Sequence, residues 1–300
     1  MITEAINPRT LVAAAVLMAS AFREATAQSA AARPASSRVS GVSLIVRPRV
    51  GDTLWLQMEQ TIEVSSRPTT RPTSPEYGPR RTRAAARITR LLLYAHSLVE
   101  ASDLSTTTLL ATTDSMAMGA GTPQDTRWPK LLPLPMEGRQ VRVRVTSDGA
   151  MRVHDPPPGA MELGATLASM PGMLPSEVVR VGDRWERDIV LPSLPVSGYR
   201  ADGIVRANFR LDSLTRGGRD AWISMEGSLQ RDGAARDLPA GTRVITAGTM
   251  RGMLVVDRQR AWIVDARTVM DVQSEVSAGP GSGAAPVLLD LRIQQRVRVR

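Results

Sequence analysis

Cysteine is missing from this chain altogether. Its absence excludes disulfides, thiolate metal centres, a cysteine nucleophile and the acylated cysteine of a bacterial lipoprotein. Lysine is almost missing too: Lys130 stands alone, and the formal net charge of +9 rests on arginine. Histidine is confined to His96 and His154, without His-x-His or His-Glu-x-x-His spacing, so no zinc centre and no other cofactor is expected. Aromatic residues make up only 3% of the chain. Arginine-bearing segments without interleaved aromatics lack the stacking platforms of single-strand binders, which disfavours a nucleic-acid partner. The core must then be built from Val, Leu, Ala and Met, with the five tryptophans as its largest anchors.

The longest apolar run lies near the N-terminus. Arg9 precedes apolar residues 11–22, a polar Arg23-Glu24 follows, and Ala25-Thr26-Ala27 supplies the small residues of a cleavage point. This order predicts a secretory signal peptide over residues 1–27 and an exported protein, periplasmic or secreted, with no membrane span once the signal is removed. Residues 28–41 are rich in Ala, Ser, Arg and Pro and predict a flexible leader.

Residues 42–155 read as a first β half. Residues 43–47 are rich in β-branched and apolar residues and predict a first strand, closed by Pro48. After Gly51-Asp52, the side chains of Leu54, Leu56, Met58, Ile62 and Val64 share one parity and Trp55, Gln57, Glu59, Thr61 and Glu63 the other. That is a half-buried strand with Trp55 on its polar side. Residues 65–83 carry Pro68, Pro72, Pro75 and Pro79 and predict a long, basic, proline-rich loop. Strand patterning resumes over residues 87–101 and 105–118. Residues 140–146 alternate strictly, turn at Ser147-Asp148-Gly149 and return through Met151, which predicts a hairpin. Residues 156–173 form a proline-rich connector in which Met161, Leu163, Leu167 and Met170 fit a short helix over 161–170.

Residues 174–300 read as a second β half. It opens on Leu174-Pro175 and Val181-Gly182-Asp183-Arg184-Trp185, an echo of Val50-Gly51-Asp52-Thr53-Leu54-Trp55. Each reads as a Gly-Asp turn launching a Trp-bearing strand. Gly51, Asp52, Trp55, Gly182, Asp183 and Trp185 are therefore structural anchors, together with Trp222 and Trp262. Strands are predicted over residues 187–191, closed by Pro192, and over 201–214, 220–231, 243–256, 261–266, 269–276 and 287–300. The fold class is mainly β: an antiparallel sheet curled into an open barrel or a two-layer sandwich, with a short helix between two halves that one reading makes similar.

Leu174-Pro175 followed by Val179, Gly182, Asp183 and Trp185 spells Leu-Pro…Val-x-x-Gly-Asp-x-Trp. In this the chain resembles an uncharacterised family of secreted bacterial proteins defined by a domain of unknown function. Gly51-Asp52 and the strand after it resemble that family's N-terminal half. The resemblance implies an exported, mainly antiparallel β protein, and it carries over no catalytic residue.

The positive charge is uneven. Arg67, Arg71, Arg80, Arg81, Arg83, Arg87 and Arg90 face a single acid, Glu76, in that stretch, and four more arginines fall within residues 292–300. Such patches form a basic surface suited to lipid headgroups or an acidic envelope partner. There is no Gly-x-Ser-x-Gly elbow, and Asp114-Ser115 and Asp212-Ser213 read as strand ends, so no catalytic or metal residue is assigned. The expected function is that of an exported, non-enzymatic envelope protein binding a hydrophobic or lipid-like ligand in an apolar concavity. The alternative is an interaction subunit of an envelope assembly working through its arginine-rich surfaces. A hydrolase ranks third, and needs His96 or His154 to meet a serine and an aspartate in one pocket.

Overall fold

A computed structural model of the chain describes residues 41–68, 85–122, 130–154, 172–196, 199–234, 242–277 and 286–300. The predicted signal peptide, most of the leader, the core of the basic loop with Arg71, Arg80, Arg81 and Arg83, and the predicted helix over 161–170 lie outside them. The described residues build one antiparallel sheet: β1 (Thr53–Pro68), β2 (Ala85–Ser102), β3 (Thr106–Gly121), β4 (Leu132–Pro133), β5 (Gln140–Thr146), β6 (Met151–His154), β7 (Arg184–Val196), β8 (Tyr199–Thr215), β9 (Asp220–Ala234), β10 (Arg243–Asp257), β11 (Trp262–Ser277) and β12 (Val287–Val299). The strand order is β6-β5-β3-β2-β1-β12-β11-β10-β9-β8-β7, with the short β4 beside β3. The sheet is therefore a double meander sewn together in its middle, where β1 pairs with β12 from Leu56↔Val299 to Pro68↔Val287. β6 and β7 are left as unjoined edges, so the sheet curls without closing into a barrel.

Alternation explains both the strands and the curl. In β5, Val141, Val143 and Val145 are buried and Arg142 and Arg144 exposed. In β1, Leu54, Met58, Gln60 and Ile62 are buried, so this parity lines the concave face. One buried face and one wet face is the ordinary state of an antiparallel sheet. Glycines on the concave parity let the far half bend tightly. A Cβ on Gly227 would stand 2.7 Å from Val205, one on Gly248 2.8 Å from the Asp271 carbonyl oxygen, and one on Gly252 2.7 Å from Thr268 Oγ1. Strand glycines of this kind mark close backbone approach and strong curvature.

The turns at one end of the sheet are tight. β2 and β3 join through Asp103, whose carboxylate accepts from the amides of Ser105 and Thr106 at 2.7 Å each. β5 and β6 turn at Gly149, at φ 89°, and β8 and β9 through a 3-10 turn over Arg216–Gly218. β10 and β11 turn at Asp257, whose Oδ1 accepts from the amides of Gln259 and Arg260.

This same end is plugged. Residues 41–48 do not form the predicted sheet strand. They run extended across the interior, with Val42, Leu44 and Val46 buried and one bridge, Val42↔Val179. Val46 N donates to the Ser147 carbonyl and Arg47 N to that of Ala261. A second segment straps the two edges together. The amides of Met173 and Leu174 donate to the Asp148 carbonyl on the β5–β6 hairpin. Their own carbonyls accept from β7, Met173 from Trp185 Nε1 and Leu174 from Arg187 Nη2, both at 2.8 Å.

Three further expectations are corrected. β7 runs on to Val196 rather than stopping at Pro192, because it is an edge strand: a proline without an N–H is tolerated there, and a register shift between Leu191 and Leu194 absorbs it. β1 continues through Ser65 and Ser66 to Pro68, paired on both sides for most of that length, so the proline-rich loop begins later than its composition implies. Asp114-Ser115 and Asp212-Ser213 lie inside strands at bulges rather than at strand ends. A bulge adds one residue and re-aims its side chain, which periodicity alone does not reveal.

Candidate functional site

The concave face splits into two zones. Toward the plug it is packed: the voids there hold only about 20 Å³ each, lined by Leu54, Leu56, Val143, Met151, Trp262 and Val299 among others. Trp262, 5% exposed, is the tryptophan that fills this core. Toward the opposite end the two flanks of the sheet part around an open trough of about 810 Å³. Val64 of β1, Leu229 of β9, Val272 of β11 and Leu291 of β12 line it from the concave parity, and Gly248 of β10 adds width by lacking a side chain. Arg87 of β2, opposite Val64, is the cation on that parity of the trough. Such a volume falls in the range of small-molecule sites, and the strand neighbours that also border it are polar, among them Glu63, Thr249, Asp271, Asp290 and Arg292.

Between the trough and the packed zone runs a buried polar row. Gln60 pairs with Gln295 across β1–β12, and Gln295 with Thr268 across β12–β11. Gln60 is 2% exposed and Thr268 0%, yet both amide atoms of Gln60 and the Thr268 hydroxyl lack a protein partner. Gln295 Nε2 donates to Met58 Sδ at 3.0 Å. Buried polar atoms without protein partners call for water or a bound polar group. This row was not singled out in the sequence, where two glutamines in separate strands carry no sign that they meet.

The convex face is mixed: Trp55, Tyr94, Leu98, Ile204 and Ile245 are exposed on it among many polar and charged residues. Glu59, Glu63, Arg251, Asp271, Arg292 and Arg296 lie on its parity, several in cross-strand ion pairs such as Arg292–Asp271 at 3.7 Å. Asp265 takes two arginines there, Arg267 at 2.9 Å and Arg296 at 2.8 Å. Burial alone would raise its carboxyl, but the two guanidiniums outweigh that and hold it below the usual carboxylate range. A transmembrane barrel needs an apolar outer band and no open edges. Among the described residues, no helix is long and apolar enough to cross a membrane.

Of the predicted basic surface, Arg67, Arg87 and Arg90 lie among the described residues, and Arg67 and Arg90 share the convex parity. Arg67 lies 3.7 Å from Asp290, Arg87 enters the trough, and Arg90 is on the convex parity. Of the anchors, Trp55 is 55% exposed on the polar side, as its parity requires. Trp185 is half-buried, stacked on Phe209 at 5.8 Å and spent on the strap. Trp222 donates to Thr215 Oγ1 at 3.0 Å. The Gly-Asp turns are built alike. Gly51 and Gly182 sit at φ 88° and 97°, and Asp52 and Asp183 accept through Oδ2 from the amides of Arg49 and Arg180. Each turn also exchanges two backbone bonds with its neighbouring strand, at Val99 and Leu211.

His96 does meet an acid. Its Nδ1 lies 2.6 Å from Asp114 Oδ1, with Trp55 5.1 Å away, all on the convex side. Among the described residues no serine hydroxyl hydrogen-bonds to this pair, and no cluster of three His, Asp or Glu side chains could hold a metal. His154 pairs by its backbone with Arg142 in β5, away from His96.

No family model matches the chain, and no curated protein does. Among solved structures, one of lipovitellin, described by its lipid–protein interactions, aligns with 84% of this chain at 12% identity and a TM-score of 0.42. The chain spans only 25% of the lipovitellin chain. The outer membrane protein AlkL, in lipid bilayers, aligns with 91% of this chain and 97% of its own, at 9% identity and a TM-score of 0.25. The outer membrane protein OprG from Pseudomonas aeruginosa aligns with 86% of this chain and 99% of its own, at 7% identity and a TM-score of 0.11. Scores this low carry no argument about fold or function, so the chain's own geometry has to supply it.

Proposed function

We propose that this chain is an exported, non-enzymatic envelope protein that holds a hydrophobic, lipid-like ligand in its concave trough. The observation that carries this is the open cavity of about 810 Å³ on the apolar side of the sheet, at the end away from the plug. An acyl chain would lie along Val64, Leu229, Val272 and Leu291, and Arg87 would take an acidic end group at the mouth. The signal-like N-terminus supports export, as does the resemblance to secreted proteins. The alternative reading, an interaction subunit, would draw on Arg67 and Arg90, which share the convex parity, whereas Arg87 lies on that of the trough.

The test is titration of the purified protein with a fluorescent long-chain fatty acid, paired with native mass spectrometry of material taken from the producing cells. Saturable binding, weakened about tenfold or more by Val272→Glu, which sets a carboxylate against the acyl chain, is expected. Arg87→Gln should weaken the fatty acid but spare its methyl ester. No saturable binding and no co-purified lipid would sink the proposal.

A further inference from the structure

The plugged end carries a second pocket of different chemistry. It measures about 360 Å³ and is lined by Arg49, Asp52, Arg219, Gln259, Arg260 and Arg300 together with Thr53 and Leu54. Four guanidinium-bearing residues thus meet where β1 begins, β12 ends and the β8–β9 and β10–β11 turns come together.

Two acids stand close by, and Asp52 keeps its charge in the lining. Asp52 accepts from the Arg49 amide within its own turn. Asp257, 4% exposed, holds the β10–β11 turn through the amides of Gln259 and Arg260 and ties Arg219 across to it, Nε at 3.1 Å and Nη2 at 2.8 Å. Arg258 locks the same two turns together, its amide donating to the Arg219 carbonyl at 2.8 Å and its Nη1 to that of Gly218. The frame under the pocket is therefore fixed by a buried carboxylate and by backbone bonds. The guanidiniums of Arg49, Arg260 and Arg300 take no ion pair with any described side chain. Like charges gathered round one depression repel by about 1 kcal/mol per close pair even in water, and the one lining carboxylate, Asp52, offsets only part of that, so the arrangement is relieved by an anion. Planar guanidinium forks match the paired oxygens of phosphoryl groups, where ammonium groups act only as point charges.

We propose that this pocket is an oxyanion site for a phosphoryl group, separate from the trough and at the other end of the sheet. The volume admits a phosphate or pyrophosphate group. The group can come from free solution or from a phospholipid headgroup, and the two sources are separable.

The test uses the full chain at low ionic strength in two arms, titration calorimetry with inorganic pyrophosphate and co-sedimentation with phosphatidylglycerol-containing vesicles against phosphatidylcholine alone. Arg49→Gln and Arg260→Gln, both at exposed positions, are compared with Arg251→Gln on the convex face of β10, and melting temperatures verify that all are folded. Pyrophosphate should bind, lose affinity steeply with salt, and weaken about tenfold in each pocket variant with Arg251→Gln unchanged. Vesicle binding that the same two variants abolish assigns the group to a headgroup; pyrophosphate binding without vesicle binding assigns it to a free oxyanion. Absence of both, or equal loss in Arg251→Gln, overturns the proposal.

Discussion

Asp257 shows how much one side chain can organise. It is buried, and burial alone would raise its carboxyl. The hydrogen bonds from Arg219 and from the amides of Arg260 and Gln259 outweigh that and hold it below the usual carboxylate range. A carboxyl depressed in the folded state stabilises the fold above its unfolded value, near pH 4, and that contribution is lost as pH falls through the folded value. Asp257→Asn is therefore expected to cost about 2 kcal/mol at neutral pH, with the difference from the parent chain shrinking below about pH 4. Urea unfolding across that range measures it, and a gap that persists undiminished at pH 3 contradicts the assignment. None of this was legible in the sequence, where Asp257-Arg258-Gln259-Arg260 reads as one more polar turn. Gly51-Asp52 and Gly182-Asp183 were legible, because a glycine followed by an acid needs only local chemistry to explain it.

Elements were legible wherever one face of a strand is wet. β5 announces itself because Val and Arg alternate, and β1 because Trp55 falls among Gln, Thr and Glu. Residues 43–47 misled, because an extended apolar segment reads the same whether it joins a sheet or plugs its end. The Leu-Pro…Gly-Asp-x-Trp stretch gains its meaning here. Leu174 belongs to the strap, the Gly-Asp turn starts the edge strand, and Trp185 reaches back from that strand to hold the strap. Trp185→Phe keeps an aromatic ring against Phe209 and deletes the bond to the Met173 carbonyl together with part of the indole's packing. It should cost about 1 kcal/mol and speed amide exchange at Met173 and Leu174; unchanged exchange there would count against the strap. Gly252→Ala probes the bend of β10 instead. The added methyl would press on the backbone carbonyl of Arg267 and on Thr268 and stand 2.8 Å from Met225, so about 1–3 kcal/mol of destabilisation is expected in thermal melts, and a neutral result would mean the sheet is laxer there.

At the scale of the molecule, the curl was the part least available from sequence. Parity tells which side of each strand is buried, but a barrel, a sandwich and an open trough all satisfy the same alternation. What separates them is which edges meet, and that is decided by long-range partners: β1 with β12, and the strap with both edges. The same pairing bears on the two β halves read from the sequence. Residues 42–155 contain β1 to β6, and residues 174–300 contain β7 to β12, so a cut between them separates β1 from β12 and exposes both along their length. It also parts Val42 from Val179 and the Met173–Leu174 strap from Asp148 or from Trp185, whichever side keeps it. Each half would then present a long, unpaired strand edge and an uncovered apolar face, the usual route to aggregation. Expressed separately, the halves are expected to be insoluble or partly unfolded, while mixing them under refolding conditions restores the circular dichroism and the melting transition of the whole chain. The intact protein should melt in a single transition with coincident near- and far-ultraviolet signals. A half that folds alone into a monomer as stable as the parent would instead show that the β1–β12 seam joins two independent units, and the trough would then be a cleft between domains rather than the hollow of one sheet.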